Sequence, residues 1–140
     1  MTVWWVDRCL GAHLLPTALR ERGLTIRTHA DLYGSRDSVP DAEWILDVAK
    51  RGWVILTKDQ AILRTPVEIE ALRTARAKYV CLSAKGLSGP QQAECFAAHW
   101  KTIEGVVAAR KAPLILAVNR TGVREFKARE NAWREVKPKR

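Results

Sequence analysis

Short apolar runs alternate along this chain with longer segments of helical period. Val3–Val6 is continuously apolar and ends at Asp7, the pattern of a strand covered on both faces. Leu14, Leu15, Ala18 and Leu19 then form an apolar helical face that stops at Gly23, a natural C-terminal cap. Pro16 requires this helix either to begin late, with the proline in its first turn, or to kink. Residues 24–28 predict a second strand, followed by a polar loop through Asp31, Gly34, Ser35 and Asp37.

Three further helix starts carry capping-box spacing: Ser38-Val-Pro-Asp41, Thr65-Pro-Val-Glu68 and Ser88-Gly-Pro-Gln91. In each, a hydroxyl can accept from backbone N–H groups while the acid or amide three residues later reaches back. Each has proline near its start, where no intrahelical bond is forfeited. The first of these helices runs to about Arg51 and buries Trp44, Ile45, Val48 and Ala49; the third lines Phe96, Trp100, Ile103 and Val107 along one face. Between them lie short aliphatic runs at residues 53–57, 79–82 and Leu114–Val118. Strand and helix alternating in this way predict an α/β fold, a single doubly wound domain over residues 1–119 with a mainly parallel central sheet flanked by helices. Residues 120–140 form a basic C-terminal extension, a docked helix or a mobile tail, with Phe126 and Trp133 interleaved among its cations.

At 140 residues and 47% hydrophobic composition, the chain suits one globular domain with a real core. No apolar run approaches the roughly 20 residues of a membrane span, so no membrane partner is expected. No basic region precedes the first apolar stretch, which argues against a secretory leader. Cys9, Cys81 and Cys95 are odd in number and unrelated in spacing, so they read as buried free thiols in a reducing cytoplasm.

Charge is unevenly placed. Residues 1–70 hold 9 basic and 10 acidic side chains, a net of −1, whereas residues 71–140 hold 15 basic and 5 acidic, a net of +10. An acid-containing front half joined to a basic back half suits a polyanionic ligand with metal at the cleavage site.

The acids explain where that site would be. In open α/β sheets the working crevice lies beyond the carboxyl ends of the strands. Asp7 ends the first strand, Asp59 follows the strand at residues 53–57, and Asp41 and Glu43 occupy the first turn of a helix that starts at the same rim. Two carboxylates about 4 Å apart repel by roughly 4 kcal/mol at an effective dielectric near 20, a repulsion that Mg²⁺ or Mn²⁺ removes. Asp7 and Asp59 are then the principal ligands, with Asp41 or Glu43 the third, direct or through water, and Thr57 orienting a water. Arg8, Arg36, Lys58 and Arg64 flank the site and are candidates to bind substrate phosphates.

Blander roles compete with these. Asp41 completes a capping box, Glu43 is favoured by the helix dipole, and Asp59 can cap the segment after it. Asp7 has little structural use directly after an apolar strand. His13 is more often exposed than functional on a first helix; turn chemistry accounts for Asp31 and Asp37, although Asp37 could add a supporting carboxylate.

Val-Asp7-Arg-Cys-Leu-Gly, Ala18-Leu-Arg…Gly23, Asp41-Ala-Glu-Trp-Ile and Gly52-Trp-Val-Ile-Leu-Thr-Lys-Asp59 occur in that order. This series, covering about residues 3–65, resembles PIN-like domains, in particular the toxin subgroup of toxin–antitoxin modules, the VapC-like ribonucleases. The resemblance implies a metal-dependent endoribonuclease that acts on RNA and is restrained by an antitoxin protein covering its acidic site. It also assigns catalytic roles to Asp7, Asp41 and Asp59, with Glu43 beside them. Many such domains carry another acid shortly after the Thr-x-Asp element; here Gln60-Ala-Ile-Leu supplies none, which implies one tightly held ion. Arg8 beside Asp7 is a second departure. A homodimer stays open. Two other readings compete: a non-catalytic nucleic-acid-binding protein using the basic extension, and a phospho-accepting, receiver-like signalling domain, which the net charge of +9 disfavours.

Overall fold

The computed structural model describes residues 1–36 and 38–138, all but Ile62 with its side chain. Among these residues the strands are β1 (Val3–Val6), β2 (Thr25–Thr28), β3 (Val54–Thr57), β4 (Lys78–Leu82), β5 (Leu114–Val118), β6 (Val123–Lys127) and β7 (Ala132–Val136). The α-helices are α1 (Leu14–Glu21), α2 (His29–Tyr33), α3 (Asp41–Lys50), α4 (Pro66–Thr74) and α5 (Gly89–Ala109). The strands form one sheet in the order β2-β1-β3-β4-β5-β6-β7, parallel from β2 to β5 and antiparallel from β5 onwards. The mainly parallel α/β fold expected from the alternating pattern is therefore present.

The two-residue period of the strands divides the core. Trp4, Val6, Val54, Leu56, Val80, Leu82, Leu114 and Leu116 face the side covered by α1 and α5, where Leu15, Leu19, Phe96, Trp100 and Ile103 pack against them. Trp5, Ile55, Tyr79, Cys81 and Ile115 face the other side, covered by Trp44, Ile45 and Val48 of α3 and Leu72 of α4. Both faces of the sheet are covered, which is why β1 and residues 54–56 of β3 read as unbroken apolar runs. Each fully buried aliphatic side chain contributes about 1.5–3 kcal/mol.

Helix boundaries follow local chemistry, with some departures. Ser88 and Gln91 form the expected capping box at the start of α5, and Thr65 accepts from the Glu68 amide at the start of α4. The box expected at Ser38 does not form. Pro40 occupies the N-cap of α3 in extended conformation and provides no side-chain cap. The polar loop expected after β2 is instead the short helix α2, closed by a capping box between Thr28 and Asp31. Pro16 lies in the first turn of α1.

The largest difference lies at the C-terminal end. Residues 123–136 form a β-hairpin that extends the main sheet, in place of a docked helix or mobile tail. Phe126 and Trp133 are cross-strand partners with ring centroids 5.4 Å apart, and both pack against the α3/α4 side of the core. Asn131, at φ 51°, allows the tight turn between the strands, a left-handed conformation that asparagine tolerates better than most residues.

Candidate active site

Strand β1 lies between β2 and β3, so the strand order reverses direction there, and parallel sheets open a crevice at such a point. The register pairs Val6 with Leu56, and the Asp7 amide donates to the Leu56 carbonyl at 2.9 Å. The Asp7 backbone is thus tied to the neighbouring strand, and its side chain emerges at the carboxyl-end rim.

Thr57, fully buried, links this acid to the next. Its hydroxyl donates to Asp7 Oδ2 at 2.8 Å and accepts from the Asp59 amide at 3.1 Å. Asp59 Oδ1 accepts from the Ala61 amide at 3.0 Å, steadying the short 3-10 turn Ala61–Leu63. Two more contacts fasten this segment to its surroundings: Tyr79 Oη donates to the Asp59 carbonyl at 3.0 Å, and Gln60 Nε2 donates to the Ser83 carbonyl at 3.0 Å.

Asp41 approaches from the opposite side as the first residue of α3. Its Oδ1 accepts from Trp44 Nε1 at 2.9 Å. That indole is buried and stacks on Trp5, with centroids 5.0 Å apart and planes 29° from parallel. A helix packed on the sheet thereby orients a carboxylate at the sheet's rim.

Asp7, Asp41 and Asp59 line one cleft of about 410 Å³, together with Arg8, Cys9, His29, Trp44 and Lys58. Of the residues expected at the site, Thr57 lies beneath this cleft and Arg8 and Lys58 stand on its wall. Glu43 and Arg36 do not line it. They form a bidentate ion pair with each other, at 2.6 and 3.2 Å, both partly exposed. Arg64 and His13 also lie outside the lining, and the Asp37 expectation falls outside the described residues.

Cys9 and His29 are among the cleft residues that were not anticipated as site residues. Cys9 was expected to be buried, as Cys81 and Cys95 are, yet it is exposed. A tight turn after Asp7 returns it to the rim, where its thiol donates to Asp7 Oδ2 at 3.2 Å, lies 3.4 Å from Thr57 Oγ1 and accepts from the Lys58 amide at 3.4 Å. Although part of the side chain is open to solvent, withdrawal of the sulfur from water, followed by the negative charge of Asp7, pushes the thiol up to about 11. His29 Nε2 lies 2.8 Å from the Arg36 carbonyl, and its ring is near Tyr33 and Trp5. The signal for both was positional: each directly follows the carboxyl end of a parallel strand, or the turn that leaves it.

The donor set tests whether a metal ion suits the cleft. Three carboxylates offer hard oxygens, the preference of Mg²⁺ and Mn²⁺. Asp7 Oδ1, Asp41 Oδ2 and Asp59 Oδ2 have no hydrogen-bond partner among the described residues, so the donors fit in kind. In this arrangement no group of three or more His, Cys, Asp or Glu side chains among the described residues is placed to hold a metal ion.

A rim crevice at the β1/β3 reversal that gathers acids from β1, β3 and the start of α3 defines a class of protein. A family model described as a PIN-like domain matches residues 2–84, and the chain belongs to the PIN-like domain family. It is similar to "Putative ribonuclease VapC45" of Mycobacterium tuberculosis, with 34% identity over 91 residues, covering 64% of this chain and 66% of that protein. No solved structure matches the chain significantly. No helix among the described residues is long and apolar enough to cross a membrane.

Proposed function

We propose that this chain is a divalent-metal-dependent endoribonuclease and the toxin of a toxin–antitoxin pair, working in the cytoplasm. The observation that carries this reading is the meeting of Asp7, Asp41 and Asp59 in one cleft, with Thr57 hydrogen-bonded to the first and last segments. Membership of the PIN-like family and the ribonuclease named in the relative support it.

In this reading Asp7 and Asp59 hold Mg²⁺ or Mn²⁺ and Asp41 completes the set, each through its unpartnered oxygen. The ion, when bound, polarises a phosphoryl oxygen and lowers the pKa of attacking water. Thr57, with its hydroxyl engaged by Asp7, positions that carboxylate and does not itself hold water. Arg8 and Lys58 contact the RNA phosphates on either side of the acids. Glu43 acts from outside the cleft by holding Arg36, whose carbonyl meets His29. The antitoxin covers the acidic cleft.

Cleavage of labelled single-stranded RNA with Mg²⁺ or Mn²⁺, comparing the native chain, Asp7→Asn and an EDTA control, tests the proposal. Metal-dependent cutting that Asp7→Asn abolishes is the expected result. Binding across several RNAs without cutting, with both metals, would replace it with a non-catalytic nucleic-acid-binding protein.

A further inference from the structure

Away from the cleft, a second concavity of about 520 Å³ separates the later half of α5 from β7. Lys101, Gly105 and Ala109 stand on its helical wall, and consecutive residues from Arg134 to Pro138 form the other. Val106 and Val136 supply an aliphatic floor.

Gly105 interrupts a 21-residue helix, where glycine costs about 1 kcal/mol relative to alanine. A Cβ added there would meet no atom within 4 Å, so packing inside the protein gives no reason for its absence. What the missing side chain does is keep the groove open. Strand β7 ends the strand order, so its outer edge has no neighbouring strand among the described residues. Outward-facing N–H and C=O groups on such an edge are a template for another extended chain.

The walls are also charged. Five cations line the groove against Glu125 and Glu135. Buried Glu125 holds Lys127 at 3.1 Å and Arg110 at 3.5 Å, and Glu130 holds Arg134 at 3.1 Å. Lys101 and Lys137 have no ion pair among the described residues and stand ready for an anionic visitor.

We propose that this groove docks an extended acidic segment of a partner protein, aliphatic at alternate positions, as an added strand on β7. Its apolar side chains rest on Val106 and Val136 across Gly105, and the carboxylates between them, which point to the other face of the added strand, meet Lys137, while a carboxylate at the end of the segment reaches Lys101. A nucleic-acid strand suits the groove less, because Phe126 and Trp133 face the opposite side of the sheet and offer no stacking platform here. A second copy suits it less as well. Two-fold antiparallel pairing centred on Arg134 or Glu135 sets that residue opposite itself, and like charges so placed destabilise a sheet.

The test uses the full chain labelled with ¹⁵N and two short synthetic peptides with valine at alternate positions, one with aspartate and glutamate between, the other with lysine. The acidic peptide should shift the backbone amides of β7 and those around Gly105 saturably, and the lysine peptide should not. Gly105→Leu places its side chain in open space, should keep the folded spectrum, and should weaken binding about tenfold or more. No shift with the acidic peptide, equal binding of the lysine peptide, shifts confined to the Asp7 cleft, or undiminished binding by Gly105→Leu would each overturn the proposal. So would a single-stranded RNA that displaces the acidic peptide from the same amides, or self-association that Gly105→Leu abolishes. All of these readouts are independent of RNA cleavage.

Discussion

Thr57 Oγ1 donates a 2.8 Å hydrogen bond to Asp7 Oδ2, joining residues 50 positions apart in the chain. The same oxygen accepts from the Asp59 amide. One buried hydroxyl therefore sets the spacing between two acids that follow different strands.

Thr57→Val keeps the shape of the side chain and removes both bonds. Hydrogen bonds to charged groups contribute about 1.5–3 kcal/mol, so urea denaturation should show a loss of about 2 kcal/mol. RNA cleavage should fall further than the folded fraction does, through kcat, and Thr57→Ser should restore most of both. Unchanged kcat in Thr57→Val would separate the threonine from the chemistry.

The indole of Trp44 makes a comparable link to Asp41. Trp44→Phe retains a ring to stack on Trp5 and loses only the N–H donor. Calorimetric titration with Mn²⁺ should show affinity reduced several-fold, with thermal stability lowered by about 1 kcal/mol. Glu43→Ala, which removes only an exposed ion pair, should change stability by less than about 1 kcal/mol and leave Mn²⁺ affinity as it was.

The thiols should react in a fixed order. Cys9 is the exposed one, but at a pKa of about 11 it carries little thiolate near pH 7.5. Its modification by a disulfide reagent should be roughly two orders of magnitude slower than that of an ordinary thiol near 8.5. Asp7→Asn removes the charge that adds to the burial effect and should accelerate it. Cys81 is pushed up to about 12 by burial and then by Asp59, and should stay unreactive until the protein unfolds. Because its folded value lies above the unfolded value of 9.0, the stability gained by keeping it neutral is present below pH 9. That contribution should be lost as pH rises from 9 through 12, as a denaturation series would record.

Gly105→Ala should make the protein more stable by about 1 kcal/mol, raising Tm by about 4 °C, since the methyl group enters open space and improves helix propensity. A decrease would mean that the helix itself requires glycine.

The parallel part of the sheet and the meeting of the three acids could be read from the sequence, because β1 and residues 54–56 of β3 are wholly apolar with Asp7 and Asp59 shortly after them, and Asp41 opens a crossover helix that starts at the same rim. Leu114–Val118 was legible for the same reason, to the residue. The polar segments were not. Helix α2 has five residues, none of them buried, and its capping box lies between Thr28 and Asp31, outside any apolar periodicity. At Ser38 the spacing for a box was present, but Pro40 takes the cap position in extended conformation. In the hairpin, burial alternates only over Val123, Arg124 and Glu125, and the alternation buries the carboxylate Glu125 between two cations. That breaks the apolar-in, polar-out code that would have announced a strand.

The Asp7 amide, hydrogen-bonded to the Leu56 carbonyl, continues the β1–β3 ladder one residue beyond the strand. Its deuterium exchange should therefore follow the slow, whole-molecule opening of the central strands and not the faster fluctuation of a loop. Warming should then fail to produce a folded but siteless species: loss of the cleft and loss of the sheet should be one cooperative event.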